Sequence, residues 1–120
     1  MKGLRTTIYK VQDIEAAKAW YTKAFGVEPY FDNPVYVGFN IGGYELGLWS
    51  ENADTITIGN NVLTYWATED IQNTFNHLLS IGGSVCEAPN NVGGEIMVAT
   101  VYDPWRNIVG LIYNPEFKAE

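Results

Sequence analysis

An internal repeat constrains the fold of this chain more than any other feature. Asp13-Ile14 recurs as Asp70-Ile71, and Gly47-Leu48 recurs as Gly110-Leu111. Each repeat reads as a strand, a capped amphipathic helix and then three strands. A half this short cannot bury both faces of its own sheet, so the halves must pack together. The repeat therefore predicts an α+β fold in which two βαβββ modules form paired four-stranded sheets around a shared cleft.

The first module is predicted to span about residues 4–50 of a single domain, 1–120. Asp13 is expected to cap the helix at its N-terminus, and Gly26 to end it in a left-handed conformation. Gly42-Gly43 is the expected two-residue turn of a hairpin. The predicted strand, helix and two hairpin strands are Thr6 to Val11, Ile14 to Phe25, Val35 to Ile41 and Tyr44 to Trp49.

A polar linker over about residues 51–61 leads to the second module, about 62–115. Within this linker, Thr55 to Ile58 has the pattern of a short edge strand. Asp70 is the expected cap of the second helix, which Gly82-Gly83 ends. The predicted strands are Val62 to Thr68, Val85 to Glu87, Glu95 to Val101 and Ile108 to Tyr113, with Pro89 to Gly94 as a loop.

Charge and cysteine content restrict the partners and the compartment. The formal net charge is −7, and the seven basic residues form no cluster, which excludes nucleic acid and anionic membrane surfaces as expected partners. No apolar run approaches the ~20 residues of a membrane span. Cys86 is the one cysteine and has no internal disulfide partner, and the N-terminus lacks a signal-peptide pattern. We therefore expect a cytoplasmic protein.

The stretch Asp103-Pro104-Trp105-Arg106-Asn107 reads as a tight turn before a buried strand, with Asn107 as a residue that tolerates a left-handed backbone. It stands where one known family has an Asp-Pro-x-Gly-Asn turn. Further matches are Val11 to Ile14, Trp20-Tyr21, Phe25-Gly26, Asp70-Ile71 and Gly82-Gly83.

With these residues the chain resembles the vicinal oxygen chelate superfamily, the glyoxalase, bleomycin-resistance and dioxygenase group, over nearly its whole length. The family's paired βαβββ modules agree with the repeat. Arg106 departs from the family's Gly, and it would be strained if this position needs a positive φ.

The resemblance implies that many relatives hold a divalent metal through one residue from the first and one from the last strand of each module. Carried onto this sequence, the four positions are Thr6, Gly47, Leu63 and Gly110. They offer a single neutral hydroxyl, whereas such metals need imidazole, carboxylate or thiolate ligands. We therefore expect no family-type metal centre and no cofactor. Because relatives commonly dimerise, the resemblance also implies a homodimer.

Strand alternation predicts which side chains face the cleft. If Gly47 and Gly110 face it, so do their neighbours at even spacing on the same strands. The candidate ligand-binding residues are Thr6, Ile8, Lys10, Glu45, Gly47, Trp49, Leu63, Tyr65, Ile108 and Gly110. This mostly apolar and aromatic set is typical of a site for a small organic ligand.

Three functions stay open at this point. The first is a small-molecule-binding protein of the bleomycin-resistance type, without metal. The second is a glyoxalase-like lyase or isomerase, with Glu45 as base at a raised pKa or with a non-standard metal site that adds a carboxylate such as Glu95. The third is a homodimer whose apolar residues build only core and interface. Glu45 is the one catalytic candidate, and the alternatives for it are an exposed position at the rim or a pairing with Lys10.

Overall fold

The computed structural model describes residues 1–117. The chain forms two compact units, Met1–Thr57 and Ile58–Glu120, and the boundary between them falls inside the predicted linker. Each unit contains one helix and one four-stranded mixed sheet, as the predicted α+β fold of two βαβββ modules requires. In the described part of the chain, no helix is long and apolar enough to cross a membrane.

The first unit has the strand order β1-β4-β3-β2, with β1 parallel to β4 and the other neighbours antiparallel. Its helix is the one predicted: the Asp13 carboxylate accepts the Ala16 N–H at 3.1 Å, and Gly26 ends the helix at φ 67°. The elements are β1 (Thr6–Val11), α1 (Ile14–Phe25), β2 (Phe31–Asp32), β3 (Tyr36–Ile41) and β4 (Tyr44–Ser50).

The core of this unit lies between α1 and one face of the sheet. The Tyr21 ring of α1 is fully buried and stacks on Tyr9 of β1 with ring centroids 5.6 Å apart. The alternate residues of β3 and β4 on that face are also fully buried, among them Phe39 and Leu46. The opposite face of the sheet carries no helix of this unit, and it is the face on which the candidate residues lie.

The second unit has the order β5-β8-β7-β6, with β5 parallel to β8. Asp70 caps its helix by accepting the Asn73 N–H at 3.0 Å, as predicted. The elements are β5 (Tyr65–Ala67), α2 (Ile71–Ser80), β6 (Ser84–Gly93), β7 (Ile96–Tyr102) and β8 (Ile108–Tyr113).

The sequence repeat is also a repeat of strand register. Ile8 of β1 pairs with Gly47 of β4, and Tyr65 of β5 pairs with Gly110 of β8. Tyr65 follows Ile8 by the same 57 positions that separate Asp70 from Asp13. The two parallel strand pairs are therefore equivalent, residue by residue.

Three predicted elements differ in the structure. Thr55 to Ile58 is not a strand, because Asn52 caps a 3₁₀ turn over Ala53–Thr55. The strand predicted from Val62 is shorter and begins only at Tyr65. The predicted loop from Pro89 belongs to β6, since the Asn90 and Asn91 side-chain amides bond the carbonyls of Val98 and Gly94 where the register slips.

The turn between β7 and β8 is organised by Asp103. This carboxylate is only 3% exposed, and it accepts the N–H groups of Trp105 at 2.8 Å and Asn107 at 2.7 Å, together with the Asn107 side-chain amide at 2.9 Å. Of the two residues considered for a left-handed backbone, Arg106 adopts it, at φ 73°, and Asn107 does not. Asn107 instead supplies two of the hydrogen-bond donors that stabilise the buried carboxylate.

Arg106→Gly is expected to raise the free energy of unfolding by about 0.5–1 kcal/mol, because it removes the left-handed strain while adding chain entropy to the unfolded state. Urea denaturation followed by circular dichroism measures this difference. The matched control is Arg106→Ala, which removes the same exposed side chain and keeps the strained φ. Equal stabilisation by both variants would show that the side chain, and not the backbone, is responsible.

Candidate functional site

Six of the candidate residues lie together on the face of the first sheet opposite α1, which we call the helix-free face. The parallel pairing of β1 with β4 sets them side by side in three cross-strand pairs. These pairs are Thr6 with Glu45, Ile8 with Gly47, and Lys10 with Trp49. Ile8 is 46% exposed and Trp49 is 43% exposed, so this face is accessible to other molecules.

Two paired glycines, Gly38 of β3 and Gly47 of β4, form the centre of this face. The space above them is filled rather than empty. The Tyr36 ring and hydroxyl lie where a side chain at Gly47 would project, and the Tyr30 ring and the Glu45 carboxylate lie above Gly38. A Cβ added to Gly38 would come within 2.8 Å of Glu45 Oε2. The glycines therefore make room for protein side chains on this face.

Glu45 accepts hydrogen bonds from three neutral hydroxyl groups. The donors are Tyr30 Oη at 2.5 Å, Thr6 Oγ1 at 2.8 Å and the Tyr36 hydroxyl. These hydrogen bonds lower the pKa of Glu45 below its usual range, and the bond from Tyr30 contributes most. The raised pKa of an enclosed base is therefore not found, and the pairing with Lys10 is not found either, since Lys10 pairs with Glu51, Nζ to Oε1, at 3.2 Å. Glu45 is half-buried.

The phenols around Glu45 remain protonated at neutral pH. The hydrogen bond to Glu45 is the main cause that raises the pKa of Tyr30. Burial, followed by the charge of Glu45, raises the pKa of Tyr36 to about 12. The group formed by Thr6, Tyr30, Tyr36 and Glu45 therefore carries one negative charge, held by hydroxyl donors.

Aromatic rings continue from this group along the helix-free face. Tyr30, Phe31, Tyr36 and Trp49 follow one another with ring centroids 6.2–6.5 Å apart. Phe31 is paired with Gly38 and therefore shares its side of the sheet. The Tyr36 and Trp49 rings meet at 78°, so they form a corner with two ring planes nearly at right angles.

The equivalent face of the second sheet holds three of the other four candidates, Tyr65, Ile108 and Gly110. Gly110 pairs with Tyr65, and Ile108 lies two residues before Gly110 on the same side of β8. Leu63 precedes β5 and is 44% exposed. A Cβ at Gly110 would collide with the Thr64 carbonyl oxygen and would lie 2.8 Å from the Tyr65 ring. Here too the space beside the glycine is occupied, in this case by backbone.

A family model described as the Glyoxalase/Bleomycin resistance protein/Dioxygenase superfamily matches residues 3–111, which is most of the chain. The protein belongs to this superfamily. The match includes both repeats and the Asp103 turn, which are the features on which the resemblance was first recognised. No curated protein of known function matches the chain significantly.

Solved structures show the same fold at low sequence identity. A glyoxalase-related enzyme from Fulvimarina pelagi is 17% identical, with a TM-score of 0.81 over 100% of this chain and 94% of that one. The fosfomycin resistance protein FosX from Listeria monocytogenes is 15% identical, with a TM-score of 0.80 over 97% and 96%. A glyoxalase/bleomycin resistance protein/dioxygenase family enzyme from Burkholderia phytofirmans is 19% identical, with a TM-score of 0.78 over 90% and 95%.

The metal that many members of this superfamily hold does not fit the residues of this chain. Of its four ligand positions, Gly47 lies under the Tyr36 hydroxyl, and Gly110 lies against the Thr64 carbonyl. The third, Thr6, donates its hydroxyl to Glu45, and the fourth, Leu63, is aliphatic. Within residues 1–117, no group of three or more His, Cys, Asp or Glu side chains could hold an ion. The donor chemistry of divalent metals is absent from these positions.

Two further titratable residues, His77 and Cys86, lie in the second unit. His77 is exposed on α2, outside the buried residues Ile71, Phe75 and Leu78. Cys86 is half-buried on β6, and it hydrogen-bonds with Tyr102, whose pKa is raised by this contact.

Sequence reasoning missed Tyr30, Phe31, Tyr36 and Gly38. Tyr36 and Gly38 could have been predicted by counting from the Gly42-Gly43 turn. A two-residue hairpin loop pairs Ile41 with Tyr44, and the same register pairs Tyr36 with Trp49. This register also pairs Gly38 with Gly47. Tyr30 and Phe31 carried no such signal, because β2 has only two residues and Tyr30 precedes it.

Tyr30→Phe is expected to raise the pKa of Glu45 towards its usual value, because it removes the hydroxyl that contributes most to lowering it. Carboxyl ¹³C NMR titration of Glu45 measures the change. Tyr44→Phe is the matched control, since Tyr44 is an exposed tyrosine of β4 whose side chain projects from the opposite face. An unchanged pKa in Tyr30→Phe would show that Tyr30 does not control the ionisation of Glu45.

Proposed function

We propose that this protein binds a small, largely apolar organic molecule on the helix-free face of the first sheet, without a family-type metal centre. The proposal rests on the side chains that cover the Gly38–Gly47 pair. Tyrosine rings and a hydroxyl-bonded carboxylate fill the place where relatives of the metal-binding kind would project a ligand. Exposed aromatic and aliphatic side chains around a few fixed polar groups are typical of small-molecule sites.

The proposed contact residues on this sheet are those that the register brings together: Thr6, Ile8, Lys10, Glu45, Gly47 and Trp49. For the second unit we propose Leu63, Tyr65, Ile108 and Gly110 as the equivalent binding residues, by the repeat. The names of relatives support a small organic ligand, because they refer to resistance to fosfomycin and to bleomycin. A homodimer and a cytoplasmic location stay predictions from the resemblance and from the single cysteine.

Glu45 supports a lyase or isomerase mechanism less well than it supports binding. A carboxylate whose pKa is lowered is a weak base at neutral pH. Its oxygens already accept hydrogen bonds from three hydroxyl groups. These bonds would compete with a metal ion held jointly by Glu45 and a second carboxylate such as Glu95. Binding is therefore the function that this arrangement favours.

Protein purified without an affinity tag and dialysed against Zn²⁺, Ni²⁺, Mn²⁺ and Mg²⁺ in turn is expected to retain far less than one ion per chain, because the ligand positions lack suitable donors. Inductively coupled plasma mass spectrometry gives the content. One tightly retained ion per chain would contradict the proposal, and Glu45→Gln would then test whether Glu45 holds it.

A thermal-shift screen of small aromatic and aliphatic compounds is expected to raise the melting temperature of the wild-type chain, because a bound ligand stabilises the folded state. Trp49→Ala should abolish the shift. Tyr44→Ala is the matched control, since it removes a similarly exposed ring from the other face of β4. Shifts that survive in Trp49→Ala would place the ligand elsewhere.

A further inference from the structure

We propose that the ligand of the helix-free face is an organic cation, an ammonium group on an apolar body, held beside Glu45 and in the ring corner of Tyr36 and Trp49. This inference rests on the proposed function, because it names the ligand class of the same site. Three features of the site carry it: a carboxylate whose charge no cation balances, a set of aromatic rings around it, and the ion pair that Lys10 of the same face makes with Glu51.

The charge of Glu45 is solvated by the protein but not neutralised by it. Its donors, Tyr30, Thr6 and Tyr36, are all neutral hydroxyls. A carboxylate offers about four acceptor positions, so these three donors leave one for a ligand. The lowered pKa keeps Glu45 ionised at neutral pH, and the tyrosines hold the carboxylate in place on the sheet.

The rings beside Glu45 have the arrangement that recognises an ammonium group. A cation is attracted to the face of Trp or Tyr within about 6 Å of the ring centre, and Trp is the strongest partner. The 78° angle between Tyr36 and Trp49 lets two ring faces contact one cationic centre. Phe31 and Tyr30 extend this aromatic surface and offer contact to the apolar body of the ligand.

The charged neighbours of the site favour a cation over an anion. Lys10 lies next to Trp49 on the same face, and Glu51 holds its ammonium group at 3.2 Å. Lys10 therefore does not supply a free positive charge to an anionic ligand. An anion would also meet the charge of Glu45 and of a chain with a net charge of −7.

Two probes of equal shape test the charge requirement on the wild-type chain. Choline and 3,3-dimethylbutan-1-ol differ in one atom, a quaternary nitrogen in place of a carbon, so they differ in charge and little in volume. Each is titrated at pH 7 and low salt while ¹H–¹⁵N NMR follows the indole N–H of Trp49. We expect choline to bind at least about tenfold more tightly.

Two charge-matched variants then locate the effect. Glu45→Gln is expected to lower the affinity for choline several-fold and to leave the affinity for 3,3-dimethylbutan-1-ol unchanged, because the ring faces remain. Glu69→Gln removes an exposed carboxylate of the other unit and should leave both affinities unchanged. Choline affinity should stay constant from pH 5 to pH 8, because the pKa of Glu45 lies below this range.

The outcomes separate this inference from the proposed function. Equal affinities for the two probes would overturn the cation and leave a neutral small-molecule site. A choline affinity that Glu45→Gln leaves unchanged would overturn the position of the cation beside Glu45. If choline does not bind and neutral compounds stabilise the chain in the thermal-shift screen, the site is also one for neutral small molecules. If neither probe binds and no compound stabilises the chain, both proposals are wrong.

Discussion

Gly110→Ala is expected to lower the free energy of unfolding by about 3 kcal/mol, because an added methyl group has no space at this position. Its Cβ would meet the Thr64 carbonyl oxygen and the Tyr65 ring. The Gly110 N–H also donates to that carbonyl at 3.1 Å, so relief of the clash would break this backbone bond between β8 and the residue before β5. Urea denaturation followed by circular dichroism measures the loss.

Gly59→Ala is the control for the intrinsic effect of replacing glycine by alanine. Gly59 has a φ that other residues adopt and no atom within 4 Å of its Cβ position, so this variant should stay within about 0.5 kcal/mol of wild type. A Gly110→Ala protein as stable as Gly59→Ala would show that Thr64 can move away. The expected result would mean that the packing of this chain around Gly110 leaves no room for a metal-ligating side chain.

Asp103→Ala is expected to lower the free energy of unfolding by about 3 kcal/mol, because hydrogen bonds to a charged acceptor are strong and lost acceptors leave buried donors unpaired. The variant removes the acceptor of the Trp105 and Asn107 N–H groups and of the Asn107 side chain. Amide hydrogen exchange should accelerate most at these two residues, and urea denaturation gives the total loss.

Asp54→Ala is the matched control, since Asp54 is an exposed aspartate in a short 3₁₀ turn. It should change stability by less than about 0.5 kcal/mol. Asp103→Asn should recover part of the loss, because one amide oxygen still accepts. If Asp103→Ala is as stable as Asp54→Ala, the turn is held by its chain connections and by Pro104 rather than by the carboxylate.

The helices and the strand pairs show how much of the fold is local. Helix α1 was predicted at its observed bounds because Asp13, the apolar stripe and Gly26 each act within a few residues. Helix α2 followed from the same chemistry at Asp70. In contrast, β6 was predicted as a short strand, Val85 to Glu87, followed by a loop. Its register slips are accompanied by bonds such as that of the Asn90 side chain to the Val98 carbonyl, eight residues away, which no local turn pattern encodes.

The candidate site divides in the same way. Alternation and the repeat placed Thr6, Ile8, Lys10, Glu45, Gly47 and Trp49 on one face, since side-chain direction in a strand follows from position alone. The role of each residue was not determined in this way. The pairing of Glu45 with Tyr30 and Thr6, and of Lys10 with Glu51, depends on the rotamers of long side chains and on a segment outside the strands.

The sequence by itself determined the family, the two-module α+β fold and the unsuitable chemistry of the four metal-ligand positions. These follow from residue types at fixed spacing, which neither packing nor rotamers can change. Only the tertiary structure decided that Tyr36 covers Gly47, that hydroxyl donors lower the pKa of Glu45, and that Arg106 takes the left-handed position of the Asp103 turn. Each of these depends on atoms brought together across strands or around a turn, where the contact rather than the residue type sets the energy.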